Sequence, residues 1–324
     1  MLSGPTAEVN QIADSDCGFG ISDLGFRTAN WLMARRRSIQ ISCQIRNPQS
    51  MILKTRHGPL YYDLSGEGPP LVFASGWAMS GECWRPAVDL LKRKYCCLIY
   101  DSRGTGRSQP ISPDARFEID DHADDLKTIL ESLEIFDAAL VGHEMGALVA
   151  AVCAERHPQT VNSLVLVSPR QAISDRDIKQ LAVFTPAALA LRELAAYPLI
   201  RNVVAWRFRS APRPYRDILF SEFADLDPRI AYETAVSAAG AENVARLERL
   251  VSRSDSRLLI ICGEKDKKGV AQARRLFSLA RAGKLATMSD CGFLPMLEYT
   301  GQFVRLLDRF VVSSLRTSGA MSRT

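Results

Sequence analysis

Histidine is scarce in this chain, cysteine pairs are missing, and no apolar run is long, and each shortage removes a class of protein. Only four histidines occur in 324 residues, His57, His122, His143 and His157, and none follows residue 157. The eight cysteines form no CxxC pair. Cys96, Cys97, Cys153 and Cys262 fall inside apolar runs, where a free thiol behaves as a small hydrophobe; this usage predicts free thiols and a reducing, cytoplasmic setting. The longest uninterrupted apolar run, residues 147–154, falls well short of the roughly 18 residues that suggest a membrane span. The first 50 residues contain no secretory apolar segment, and their acids Glu8, Asp14, Asp16 and Asp23 count against an organelle transit peptide. Neither charge sign dominates. An excess of 41 basic over 36 acidic residues, net +5, is too thin to imply a polyanionic partner, so nucleic-acid binding is not expected. The 32 arginines against 9 lysines point to a GC-rich genome rather than to a function.

What remains is an ordinary globular composition, 47% hydrophobic and 24% charged, at about twice the usual domain length. Residues 1–50 keep no steady period and are expected to form a loosely packed extension. From Met51 onward short β-rich runs alternate with helix-length amphipathic stretches, which predicts an α/β domain over 51–324: a mostly parallel central sheet with helices on both faces. The patterns place strands at 52–56, 60–64, 71–74, 96–100, 138–141, 163–167, 258–262 and 284–288. Helices are expected near 84–94, 119–133, 145–156, 270–281 and 302–315. Residues 171–256 are helical, arginine-rich and punctuated by proline, and read as a lid inserted between two strands.

Chemistry concentrates where the strand ending at Val141 runs through Gly142-His143-Glu144-Met145-Gly146 directly into a helix. Two glycines flanking one side chain on a strand-to-helix turn form a nucleophile elbow, which presents its central residue at a helix N-terminus. Here the sequence resembles the α/β-hydrolase superfamily, over roughly 51–312. Ser75-Gly76-Trp77 stands at the family's oxyanion loop, Asp101-Ser102-Arg103-Gly104-Thr105-Gly106-Arg107-Ser108 is a further family marker, Gly263-Glu264-Lys265-Asp266 occupies the acid loop, and Asp290-Cys291-Gly292-Phe293 falls at the histidine loop. The resemblance implies backbone N–H donors from Trp77 and Met145 for an oxyanion.

At the defining residues the sequence departs from that family. Glu144 stands where the family has serine, sometimes aspartate or cysteine; Phe293 stands in the histidine's place; Asp266 alone matches the triad. No other histidine is placed to activate a serine-type nucleophile, and His143 is expected to pack behind the turn. Three functions stay open. Glu144 and Asp266 could share a poorly hydrated cavity, one of them holding a proton, and act as acid and base in isomerisation, cyclisation, elimination or hydration. The chain could be a non-catalytic ligand-binding or scaffold descendant. Glu144 could attack carbon, as the aspartate of epoxide hydrolases and haloalkane dehalogenases does, though no base is present to release the ester. The substrate or ligand expected is a small molecule, and neither a cofactor nor a metal is called for. Ser75, Arg170 and Phe293 are further candidates for substrate contact, Arg170 as a partner for Glu144 or a substrate anion, though a lid-hinge ion pair suits it better. Arg103 and Asp101 are expected to brace the glycine-rich loop. The arginines at 201, 207, 209, 213 and 216 suit a solvated lid face better than an anionic ligand or a membrane surface. Oligomeric state leaves no trace in the sequence.

Overall fold

The computed structural model describes residues 49–169, 209–254 and 257–321. The expected lid helices before residue 209, Arg170 and the N-terminal extension up to residue 48 lie outside the described residues. Eight strands form one sheet in the order β1-β2-β4-β3-β5-β6-β7-β8. They are β1 (Gln49–Lys54), β2 (Pro59–Ser65), β3 (Pro70–Ala74), β4 (Cys96–Tyr100), β5 (Ala138–His143), β6 (Val161–Val167), β7 (Arg257–Gly263) and β8 (Lys284–Met288). The pairs β1·β2 and β2·β4 are antiparallel and all others parallel. The mostly parallel sheet predicted from the alternation is therefore present, and each expected strand has its counterpart.

The first strand ends two residues earlier than its apolar pattern suggests. Thr55 starts the reversal: its N–H and its hydroxyl both donate to Gly58 O, at 3.0 and 2.7 Å, and Gly58 takes φ 146°, a conformation disfavoured for any residue with a Cβ. Helix Lys267–Leu279 begins three residues before the predicted 270, because the Asp266 side chain caps it.

Parallel strands are covered on both faces, so successive side chains enter opposite cores. On one face Leu64, Val72, Leu98, Leu140 and Leu164 pack against helices Ile119–Ser132 and Met145–Arg156. On the other, Leu71, Phe73, Ile99, Val141 and Val165 meet Trp84, Phe303 and Leu307. Helix Met145–Arg156 is buried at every residue from 145 to 154, which explains the apolar run there. No helix among the described residues is long and apolar enough to cross a membrane. The six cysteines among them are buried, and no disulfide joins any two of them.

The chain beyond β3 reaches β4 on one side of it, while β5 adds on the other. At such a reversal the loops leaving the carboxyl ends of neighbouring strands part and leave a crevice. Register pairs Ala74 with Gly142 and His143 with Val167, so the segments after β3, β5 and β6 leave the sheet side by side. Helices Arg213–Asp225, Pro228–Ala239 and Ala241–Arg253 lie in the insertion between β6 and β7. The first packs on the segment after β3 through Phe223 against Trp77, and the second sets Ile230 beside Gly104 in the loop after β4.

Candidate active site

Glu144 forms a sharp elbow between β5 and helix Met145–Arg156, at φ 53° and ψ −110°. Its N–H donates to Val167 O at 2.9 Å and its carbonyl accepts from Ala147 N–H at 3.1 Å. The flanking glycines are required by contact. A Cβ on Gly142 would stand 2.1 Å from Gly146 O, and one on Gly146 would stand 2.2 Å from Ala74 O. A positive φ on a residue with a long side chain costs roughly 1–3 kcal/mol and persists only where the surroundings impose it.

The Glu144 side chain is 1% exposed, and its Oε2 accepts the backbone N–H of Trp77 at 2.8 Å. The donor that family resemblance assigns to an oxyanion is thus engaged by the carboxylate of the elbow residue. Met145 is buried at the start of the helix. A Cβ placed on Gly76 would lie 2.7 Å from Glu144 Oε2 and 2.7 Å from His143 Nδ1, which puts these two groups around one residue of the loop. Of the two, only the Glu144 carboxylate is the end of a flexible side chain, the imidazole being held against Phe293 and Trp84, so Gly76→Ala is expected to fold while displacing the carboxylate from Trp77. The cost is that of a lost hydrogen bond to a charged group, about 1.5–3 kcal/mol, read as a lower denaturation midpoint in urea. A midpoint equal to wild type would show that the carboxylate does not depend on this loop.

His143 is fully buried, and its Nε2 lies 3.0 Å from Phe293 O. A carbonyl only accepts, so Nε2 carries the proton. The imidazole stacks edge-on against Phe293, with ring centroids 4.6 Å apart, and against Trp84 at 6.4 Å. It is buried between the loops that carry Gly76 and Phe293. Phe293 itself is half-buried, and the Glu298 carboxylate secures its loop by accepting the N–H groups of Gly292 and Leu294 at 2.7 and 3.0 Å.

The other candidates are placed differently from one another. Asp266 turns its carboxylate onto its own helix, accepting Gly269 N–H at 3.1 Å. That bond caps the helix that follows β7 and engages one oxygen of the acid expected to work with Glu144. Ser75 is buried and donates to Ser80 O at 2.9 Å, closing the turn that carries Trp77. Asp101 does brace its loop: it accepts Gly81 N–H at 2.8 Å and the Arg107 N–H and guanidinium at 2.8–3.0 Å. Arg103 braces it from below through Asp125.

Sequence reasoning missed Glu222 and Ser80. Glu222, on helix Arg213–Asp225, accepts both the N–H of Ser80, at 3.0 Å, and its hydroxyl. Burial pushes its carboxyl above the ordinary range; the Ser80 hydrogen bonds pull the other way, nearby Asp101 adds to the rise, and Arg107 opposes it. No motif marks either residue, since their contact spans 142 positions. Glu298 left a fainter signal, an acid six residues after the glycine whose N–H it accepts.

Residues 69–298 match the protein family described as alpha/beta hydrolase fold. A relative from Serratia proteamaculans, named "Putative carbamate hydrolase RutD", is 26% identical over 278 residues, covering 82% of this chain and 99% of its own. Among solved structures, a hydrolase from Pseudomonas aeruginosa superposes with a TM-score of 0.69 at 18% identity, over 82% of this chain and 99% of that one. An esterase from Exiguobacterium antarcticum does so with 0.69 at 16%, over 81% and 99%. At such identities the two structures speak for the fold alone.

Proposed function

The chain belongs to the α/β-hydrolase fold family, and from that premise we propose that it is a small-molecule enzyme in which Glu144 works by proton transfer rather than through an acyl-enzyme. The reactions that suit it are isomerisation, cyclisation, elimination and hydration, with no cofactor. One observation carries this reading: a carboxylate occupies the strained elbow, is buried, and is oriented by the Trp77 N–H. Strain of this kind is retained where a site works. A serine-type route would need a hydroxyl at 144 and an imidazole at 293, and the chain has Glu144 and Phe293 there.

In this reading residues 51–324 form one catalytic unit, with 171–256 as its lid. Glu144 takes a proton from the substrate and returns it at another atom. As it leaves Trp77, the N–H groups of Trp77 and Met145 become available to charge developing on a substrate oxygen. Phe293 supplies an apolar wall, Arg170 a partner for a substrate anion, Ser75 the rigidity of the donor loop, and Asp266 a second carboxyl should its cap open. The Trp77–Glu144 hydrogen bond also favours a second reading, a non-catalytic ligand-binding descendant, because it fills the seat a reacting oxygen would use.

Two assays test the proposal. Cleavage of p-nitrophenyl esters is expected to match the uncatalysed rate. Deuterium wash-in from D2O into a panel of enolisable ketones and lactones, followed by NMR, is expected to exceed background for at least one compound. Glu144→Gln should slow that exchange by about 100-fold or more, the usual contribution of a positioned base. Ester turnover that Glu144→Gln abolishes would overturn the reading, and exchange unchanged in the variant would favour the ligand-binding one.

A further inference from the structure

Ser80 is the far end of the turn whose near end gives its N–H to Glu144, and five hydrogen bonds converge on it, one of them from Cys83 N–H to its carbonyl at 3.4 Å. Its carbonyl accepts Ser75 Oγ at 2.9 Å, its hydroxyl accepts Glu82 N–H at 3.1 Å, and its N–H and hydroxyl both donate to the Glu222 carboxylate. Between the ends the turn is tight: Met79 N–H donates to Gly76 O at 3.2 Å, and Ala78 sits at φ 58°. A turn closed in this way moves as a unit, so whatever holds Ser80 also sets Trp77.

The same insertion helices hold Trp77 from the other side. Its indole N–H donates to Ala231 O at 2.9 Å, and its ring meets Phe223 edge-on at 5.7 Å, one residue along the helix from Glu222. From these contacts we infer that Glu222 is a positioning residue: it locks the 75–80 turn to helix Arg213–Asp225, so that the Trp77 N–H is aligned on Glu144 while that helix is docked. Docking of helix Arg213–Asp225 and orientation of the elbow carboxylate are then one event. A substrate that parts the insertion from the turn also frees the carboxylate. Only this catalytic consequence rests on the proton-transfer reading of Glu144; the mechanical coupling does not.

Amide hydrogen exchange at neutral pH tests the coupling in the full chain, comparing wild type, Glu222→Ala, Glu222→Gln and, as a control, Ser237→Ala. Ser237 ties helix Pro228–Ala239 to Ile119 N–H and Glu118, away from the turn. Hydrogen bonds to a charged acceptor are strong enough that Glu222→Ala should speed exchange at the Trp77 and Ser80 amides about 10- to 100-fold, and Glu222→Gln by less. Ser237→Ala should leave both at the wild-type rate. If Glu222→Ala does not fold, Glu222→Gln decides alone. Wild-type protection of Trp77 in a folded Glu222 variant, or equal loss of it in Ser237→Ala, overturns the proposal. Where wash-in is detectable, Glu222→Ala should lower kcat more than it raises KM. If wild type shows no wash-in, the catalytic reading fails and the amide rates still decide this one.

Discussion

Arg103→Met should destabilise the protein by about 3–5 kcal/mol, the usual cost of stripping one partner from a buried ion pair. Arg103 is 4% exposed and holds Asp125 in a bidentate pair, Nε to Oδ2 at 2.6 Å and Nη2 to Oδ1 at 2.7 Å. The same guanidinium donates to the carbonyls of Arg116 and Asp121 at 2.8 and 2.9 Å, joining the loop after β4 to the following helix. Burial already pushes the Asp125 carboxyl above its ordinary range, against the pull of Arg103. Without the guanidinium it should rise further and take up a proton in the folded state. The sign follows: the variant loses most stability at high pH, where Asp125 must stay charged, and less near pH 5. Urea denaturation at pH 8 and pH 5 measures both effects. The double variant Arg103→Met with Asp125→Leu should recover part of the loss, since no charge is left stranded. A single variant within about 1 kcal/mol of wild type at pH 8 would show that water reaches Asp125.

Acid should unfold the protein through His122. This residue is 2% exposed, and neither ring nitrogen meets a hydrogen-bond partner among the described residues. Burial, with a smaller contribution from the Arg103 charge, lowers its pKa from 6.5 to about 3. A folded pKa below the unfolded one means that the unfolded chain binds the proton more tightly. Stability from this group is therefore complete above about pH 6.5 and is lost as pH falls from there toward 3. At about 1.4 kcal/mol per unit the loss approaches roughly 3 kcal/mol by pH 4.5. His122→Leu removes the titrating group. Its stability should equal or exceed that of wild type at pH 7.5, and its advantage should grow steadily below pH 6.5. Parallel curves for the two proteins between pH 7.5 and 4.5 would mean that His122 is protonated within the fold.

The sheet, its parallel character and the elbow were legible in the sequence because each rests on local pattern. Apolar runs of strand length alternating with amphipathic stretches specify β and α elements, and Gly142 and Gly146 around Glu144 specify a close strand-to-helix turn. Strand ends were less legible where a turn residue outbid the apolar pattern, as Thr55 does after β1. Which carboxylates meet which partners depended on the assembled fold. Asp266 matched the triad by order along the chain, and only the folded chain shows that its carboxylate also accepts Gly269 N–H in the first turn of its own helix. Glu222 had no local signature, and its role exists only because the insertion returns 142 residues later to the turn after β3. Residue types and their spacing thus determined the scaffold and the carboxylate at its elbow. The orientation of that carboxylate toward Trp77, the pairing of Arg103 with Asp125 and the burial of His122 were decided by tertiary structure, because each is a contact between segments whose separation no periodicity encodes.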